Sequence, residues 1–314
     1  MKEIASVILP VFGLIGVGYV VAWLRLLPNV TATVLSQFVF VVAVPFLMFR
    51  TMVAADFANA SPWRLWFSYF VAMAIAWGAG TLTVRALHPS EDAPHVIGGF
   101  SAAYSNSVMI GIPLIMTAYG EEAIVALLIL VAVHLPIAMT VGTLLMGRAD
   151  RKGSDADKLT VAREVGGTLA TNPVLIGVVA ALLWRSTGMP VPDPLAWIVG
   201  RLAEVAGPVA LFAVGMSIRE RGLAGEWPSA AFLSTIKLAV MPTIAFVLAF
   251  YLAPIPVVWA KAIVLAAACP TGIYAFVAAS RFRSGEALSS ATILMSTIAA
   301  VATVSFWLIV LQRF

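Results

Sequence analysis

The chain has 314 residues, 61% of them hydrophobic and 11% charged, with a mean hydropathy of +1.00. A soluble domain is about a quarter charged, so this composition excludes a soluble globular protein and predicts an integral membrane protein. The net charge of +4 reads as a mark of orientation rather than of nucleic-acid binding. The single cysteine, Cys269, excludes an intrachain disulfide and a cysteine-based metal cluster.

Apolar runs of about 20 residues, the length that crosses a bilayer as a helix, recur along the chain. In order they cover 4–24, 33–53, 64–87, 95–119, 122–146, 166–186, 196–218, 228–252, 257–280 and 287–311, ten candidate spans. Lys2 and Glu3 lead into the first with no small-residue cleavage site behind it, so a retained span is expected, not a removable signal. The runs are continuous, which predicts helices; a barrel would show alternating segments of about ten residues.

The polar segment GRADRKGSDADKLTVARE at 147–164 divides the chain into 1–147 and 166–314, with 148–165 as a loop between them. With the N-terminus outside, the inside loops hold eleven Lys and Arg residues against seven outside, and Lys237 falls within a span. Positive charge concentrates on the cytoplasmic side. Both termini are therefore expected outside an inner (plasma) membrane, with 147–165 in the cytoplasm.

The two parts resemble each other. LIGVGYVVAWL at 14–24 aligns with LIGVVAALLWR at 175–185, and each apolar run ends at a tryptophan, Trp23 or Trp184. VVAVPFLMF at 41–49 aligns with EVAGPVALF at 204–212, pairing Pro45 with Pro208. SVMIGIPLIMTAYGEEA at 107–123 aligns with AACPTGIYAFVAASRFRSGEA at 267–287, pairing Pro113 with Pro270 and two Gly-Glu pairs. Five spans per copy is an odd number, so the second copy enters the membrane with opposite polarity. Inverted repeats of this kind mark secondary transporters, whose substrate site lies where broken helices meet.

The fourth and ninth candidate spans each hold a proline with polar or small neighbours at mid-span: Ser105, Asn106, Ser107, Gly111 and Pro113 in one, Pro270, Thr271, Gly272 and Tyr274 in the other. Proline removes an amide donor and clashes with the preceding turn. In lipid such backbone is tolerated only against protein or a wet cavity. Each span is therefore expected to be two half-helices, the second starting near its proline. The freed amides of a half-helix N-terminus suit an anion. Asn106 can donate to a carboxylate or accept from a cation, and Thr271, Gly272 and Tyr274 supply a hydroxyl, close backbone approach and an amphipathic ring. The alternative is two ordinary helices kinked by proline.

These residues also carry a resemblance. SNSVMIGIPLIMTAYG resembles the fourth-span motif of the auxin efflux carrier family, which includes the plant PIN-formed carriers and malate and malonate permeases, and ACPTGIYAFVAASRF resembles its ninth-span motif. VAVPFLMF, NPVLIGVVAALLW and AGPVALFAVGMSI are similar to its second, sixth and seventh spans. The long cytoplasmic loop of many plant members is missing. The resemblance implies an all-α, ten-span fold of the bile-acid-symporter type, with spans 1, 2, 6 and 7 as scaffold and homodimer platform. It implies that spans 3–5 and 8–10 move as the transport part. By motif position Asn106, Pro113 and Pro270 fall on the family's substrate-contacting crossover.

Other polar residues in spans are candidates too. His134 in LVAVHLPIA can line a cavity, relay a proton or bond a neighbouring helix. Lys237 in STIKLAVMPTI attracts an anion or caps carbonyls of a broken helix. Glu204 can pair with Arg201. Gly13, Gly16 and Gly18 allow close helix approach, with a dimer interface as the expected use. The functional expectation is a carrier of small organic anions such as auxin-like acids, malate or malonate, working by alternating access with an elevator-type motion. A sodium- or proton-coupled symporter of the same fold is the alternative. No Asp or Glu lies at the middle of spans four, five, nine or ten, which argues against cation/proton exchange. No G-x-S-x-G and no H-E-x-x-H is present, so no enzyme is expected, nor any cofactor beyond a coupling ion. An interior-negative potential favours anion exit by about 2.3 kcal/mol per charge per 100 mV, so an uncoupled carrier would export.

Overall fold

The computed structural model describes residues 2–55, 62–89, 92–149, 166–167, 171–220 and 226–314. Most of the 147–165 segment lies outside them. Helix dominates, and the described residues hold no strand, only an isolated bridge between Ser105 and Thr271.

The helices are α1 (Lys2–Trp23), α2 (Val30–Phe38), α3 (Val44–Ala54), α4 (Pro62–Leu87), α5 (Asp92–Ala103) and α6 (Ile112–Ala149). They continue as α7 (Pro173–Ser186), α8 (Asp193–Glu204), α9 (Ala206–Glu220), α10 (Trp227–Thr235), α11 (Met241–Val247), α12 (Val257–Ala268), α13 (Tyr274–Phe282) and α14 (Glu286–Leu311). Seven stretches are long and apolar enough to cross a membrane, and α7 and α12 are shorter apolar helices. The chain is thus an all-α membrane protein. The seventh helix starts at Pro173, later than the 166–186 run suggests, because Asn172 caps it: its side chain accepts from the Val174 amide at 2.9 Å.

Four π turns are present among the described residues: Val39–Ala43, Ser107–Gly111, Ile236–Val240 and Leu248–Leu252. Each ends two residues before a proline, namely Pro45, Pro113, Pro242 and Pro254. The cause is steric. A proline clashes with the carbonyl four residues back and leaves it without an amide. Before Pro45, Pro113 and Pro242, where helix continues, that carbonyl belongs to the central residue of the π turn and the wider turn makes room for the ring; before Pro254 the helix has already ended, at Leu252. In one case the orphan finds a partner, since Trp307 Nε1 donates to the Leu238 carbonyl at 3.3 Å.

At Gly120, inside α6, φ is 73° and ψ −159°, a conformation that L side chains rarely adopt. The long apolar stretch Ser107–Met146 is therefore two helical rods meeting at that glycine.

Contacts divide the chain into two units. The first comprises Met1–Ala60, Val108–Ala132 and Gly166–Gly222. In it α1 packs on α9, and α3 on α7. Glycines make these approaches. A Cβ at Gly18 would run into the Phe212 carbonyl, one at Gly215 into the Ile15 carbonyl, and one at Gly177 would stand 2.5 Å from the Pro45 oxygen. Gly18 is thus used within the chain, whereas Gly13 and Gly16 face open space. Pro208 lies in the first turn of α9, where a missing amide costs nothing, whereas Pro45 lies where the helix continues out of its π turn into α3. The Arg185 guanidinium donates to the carbonyls of Met52, Val53 and Ala55, closing the C-terminal end of α3. Arg201 Nη1 and Glu204 Oε2 pair at 3.0 Å on the surface.

The second unit comprises Ser61–Ser107, Val133–Val165 and Leu223–Phe314. Here α4 packs tightly on α5, and α14 on α10, α12 and α13. Small residues again set the distance: a Cβ at Gly80 would meet that of Ala102 at 2.6 Å. Val84, Ala102, Leu233 and Leu288 form a buried cluster beside them.

Candidate functional site

The site is in the second unit, where two helices stop within hydrogen-bonding distance of each other. After α5 the chain is unwound over Tyr104–Asn106, and after α12 over Cys269–Ile273. The two unwound segments run antiparallel. The Asn106 amide donates to the Pro270 carbonyl at 2.8 Å, and the Gly272 amide donates to the Tyr104 carbonyl at 2.9 Å. The Thr271 hydroxyl donates to the Ser101 carbonyl at 2.8 Å, and the Thr271 amide to the Ser296 hydroxyl at 3.1 Å. Gly272 allows this closeness, since a Cβ there would lie 2.6 Å from the Tyr104 ring and 3.1 Å from the Ser105 carbonyl.

The fourth-span break does not fall at Pro113. It falls at Tyr104–Asn106, and the next helical turn begins at Ser107. Gly111 closes the π turn and Pro113 lies one residue into α6, inside a helix that the π turn has already adjusted to it. Pro113 groups with the first unit, where it neighbours Gly207. In the ninth span Pro270 lies within the break itself.

Most of this crossing is closed to solvent. Ser101, Tyr104, Ser105, Ser107, Pro270, Thr271 and Gly272 are buried, whereas Asn106, Ile273 and Tyr274 are half-exposed. Asn106 and Tyr274 are therefore the polar side chains of the crossing that a solute can reach.

His134 belongs to the same neighbourhood. Its ring stacks on Tyr104, centroids 4.5 Å apart and planes 12° from parallel, and its Nε2 lies 3.3 Å from the Tyr69 hydroxyl. Tyr274 meets Tyr104 edge-on at 6.1 Å. The hydroxyls of Ser105 and Ser107 lie near that of Tyr69, and neither reaches hydrogen-bond geometry with a protein atom. Lys237, carried on the π turn before Pro242, is fully buried, and its ammonium donates to the Ala267 carbonyl at 2.5 Å.

Sequence reasoning missed Tyr69, Tyr104, Ser101 and Ser296 as parts of this arrangement. Ser68 and Tyr69, two polar residues in the run LWFSYFVAMA, were the available signal for the first of these. No group of His, Cys, Asp and Glu suited to a metal ion is found among the described residues.

Comparison with known proteins agrees with a transport role. A model described as membrane transport protein matches residues 4–308. The chain is 28% identical to a Rhizobium meliloti protein named "Putative malonate transporter", covering 97% of this chain and 95% of that one. It is 26% identical to an "Uncharacterized transporter" of Methanothermobacter thermautotrophicus, covering 97% of each.

Proposed function

The chain belongs to the membrane transport protein family, that of the auxin efflux carriers, and from that premise we propose that it is a secondary carrier of small organic anions, malonate first among them. A transporter, not an enzyme, follows from the family. The crossing of two unwound segments, joined by paired backbone bonds, is the observation that supports a site there. Asn106 binds a substrate carboxylate through its amide and Tyr274 lines the approach. The helix that restarts at Ser107 begins directly after Asn106, and a helix N-terminus favours an anion. Malonate is chosen because a relative similar over nearly its whole length bears that name.

The reading includes ten passes as a five-plus-five inverted repeat. Ten arise when Ser107–Met146 is divided at Gly120 and α7 and the broken pair α12–α13 each serve as one. A two-fold that exchanges spans one with six and two with seven turns the contact of α1 with α9 into that of α7 with α3, and both contacts are present. In the same reading spans 1, 2, 6 and 7 form the scaffold of a homodimer, spans 3–5 and 8–10 carry substrate by an elevator-type motion, and both termini lie outside an inner membrane.

Currents recorded from proteoliposomes on a solid-supported membrane test it. Malonate, malate and indole-3-acetate are applied in turn, and a current or tracer flux with at least one is expected. Asn106→Ala is expected to lose most of it while keeping its unfolding temperature. Full transport by a folded Asn106→Ala protein refutes the site.

A further inference from the structure

The closed side of the crossing carries polar atoms that the protein itself leaves short of partners. Alternate side chains of an extended segment face opposite ways, and burial follows that rule here. Ser105 and Ser107 are 1% and 2% exposed, whereas Asn106 between them is half-exposed. The Ser105 and Ser107 hydroxyls approach the Tyr69 hydroxyl, which lies 3.3 Å from His134 Nε2. All four residues belong to the second unit. One bond joins Tyr69 to His134, whichever ring nitrogen carries the proton. Neither serine hydroxyl has a protein partner, although each brings one donor and two acceptor sites. Bare buried hydroxyls are costly and rare, and an ordered water is their common partner. The four groups are three hydroxyls and an imidazole, with no carboxylate or ammonium among them. They suit a small neutral ligand that both donates and accepts. Water does so, and a buried water makes about three bonds to groups of this kind. The His134 ring, stacked on Tyr104, ties the same place to the unwound segment a second time.

We infer that Tyr69, Ser105, Ser107 and His134 hold one ordered water molecule on the closed side of the crossing, and that this water orients Asn106 by fixing the residue on either side of it. The first half stands on the placement of the four side chains; the second rests on the reading of Asn106 as the carboxylate-binding residue given above. Tyr69 and His134 are then positioning residues, acting on Asn106 through the water and the two serines.

X-ray radiolysis of the full chain in lipid nanodiscs, read by mass spectrometry, tests the first half, because radicals formed from a bound water oxidise the side chains around it. Tyr69 and His134 are expected to be oxidised several-fold faster than Met241, an intrinsically more reactive side chain that is also fully buried. Ser105→Val combined with Ser107→Val removes two partners of the water and fills its space, and oxidation of Tyr69 and His134 is expected to fall to the Met241 level. Oxidation of both as slow as that of Met241 in the natural chain overturns the water, and so does oxidation that the double variant leaves unchanged. Should the double variant not fold, the comparison with Met241 in the natural chain decides. Malonate uptake tests the second half. Tyr69→Phe and Ser107→Ala are expected to raise the KM several-fold with a smaller loss of maximal rate, whereas Ser107→Thr, which keeps a hydroxyl, retains the natural KM. An unchanged KM in Tyr69→Phe and Ser107→Ala, or a KM raised equally by Ser107→Thr, overturns the positioning role. Absence of any malonate flux in the natural chain overturns the substrate assignment and the second half with it, while radiolysis still decides the first.

Discussion

Gly272→Ala is the sharpest test of how the crossing is built. Gly272 is not in the left-handed region, so its requirement is space, not backbone freedom. A methyl group there would lie 2.6 and 2.7 Å from two carbons of the Tyr104 ring and 3.1 Å from the Ser105 carbonyl. The ring has nowhere to go. It is 5% exposed, stacked on His134, and held from another side by Phe100 at 5.2 Å. Overpacking of this kind costs about 1–3 kcal/mol, and it also strains the two backbone bonds beside it. The control is Gly78→Ala in α4, where an added Cβ meets nothing within 4 Å. There the helix gains about 1 kcal/mol from alanine's propensity. The two substitutions add the same methyl group, and opposite signs are expected: a lower unfolding temperature and impaired transport for Gly272→Ala, an equal or higher temperature for Gly78→Ala. The double variant Gly272→Ala with Tyr104→Leu separates the clash from any other effect. If the ring is the obstacle, the two changes are non-additive and the pair is more stable than the sum predicts. A Gly272→Ala protein as stable as the natural one, or strict additivity with Tyr104→Leu, refutes the packing argument.

Two further outcomes are expected. Thr271→Val keeps the shape of the side chain and removes the donor to the Ser101 carbonyl. An interhelical bond in a membrane protein contributes about 0.6 kcal/mol, but a buried carbonyl left bare costs about 1–3 kcal/mol. The unfolding temperature is therefore expected to fall by more than a bond count suggests, and an unchanged value counts against a role for Thr271. Arg185→Met removes the donor to three carbonyls at the end of α3. Hydrogen exchange at residues 50–55 is expected to speed up locally, with Arg185→Lys intermediate because an ammonium cannot span the same fork. Uniform exchange across the chain, or no change, refutes the cap.

The membrane class and which spans are broken were legible because they are one-dimensional signals. Apolar runs of span length and a polar triplet inside one of them need no partner to be read. The details that depended on geometry were not. Pro113 is expected to start the second half of its span, yet the break lies earlier, at Tyr104–Asn106. The π turn at Ser107–Gly111 absorbs the missing amide, so the proline does not have to interrupt the helix. Pro270 is not preceded by such a turn and does lie in its break. Arg185 enters the sequence reading only as one of the seven outside positive charges, although it closes a helix end 130 residues away. Gly215, which the packing of α1 on α9 requires, looks in sequence like any glycine of an apolar run. His134 was picked out alone; its partner Tyr69 is 65 positions away and nothing local points to it.

The pairing of the breaks has a physical origin that the repeat alone does not explain. A helix that stops inside hydrocarbon exposes carbonyls on one side and amides on the other, and each bare group is costly without water. A single break would have to find donors and acceptors among side chains. Two breaks laid antiparallel supply them to each other: Tyr104 gives a carbonyl to Gly272, Asn106 gives an amide to Pro270, and Thr271 reaches back to Ser101. Removing either break strands the groups of the other. That mutual dependence makes it costly to lose one unwound segment and keep its counterpart, so Tyr104–Asn106 and Cys269–Ile273 occur together. It also limits what is left for a ligand. With the paired backbone groups satisfied by one another and Ala267 taken by Lys237, Asn106 and Tyr274 are the half-exposed polar side chains that the crossing presents to a solute. Specificity among carboxylates is then decided by those two positions and the shape around them, more than by the backbone that holds them.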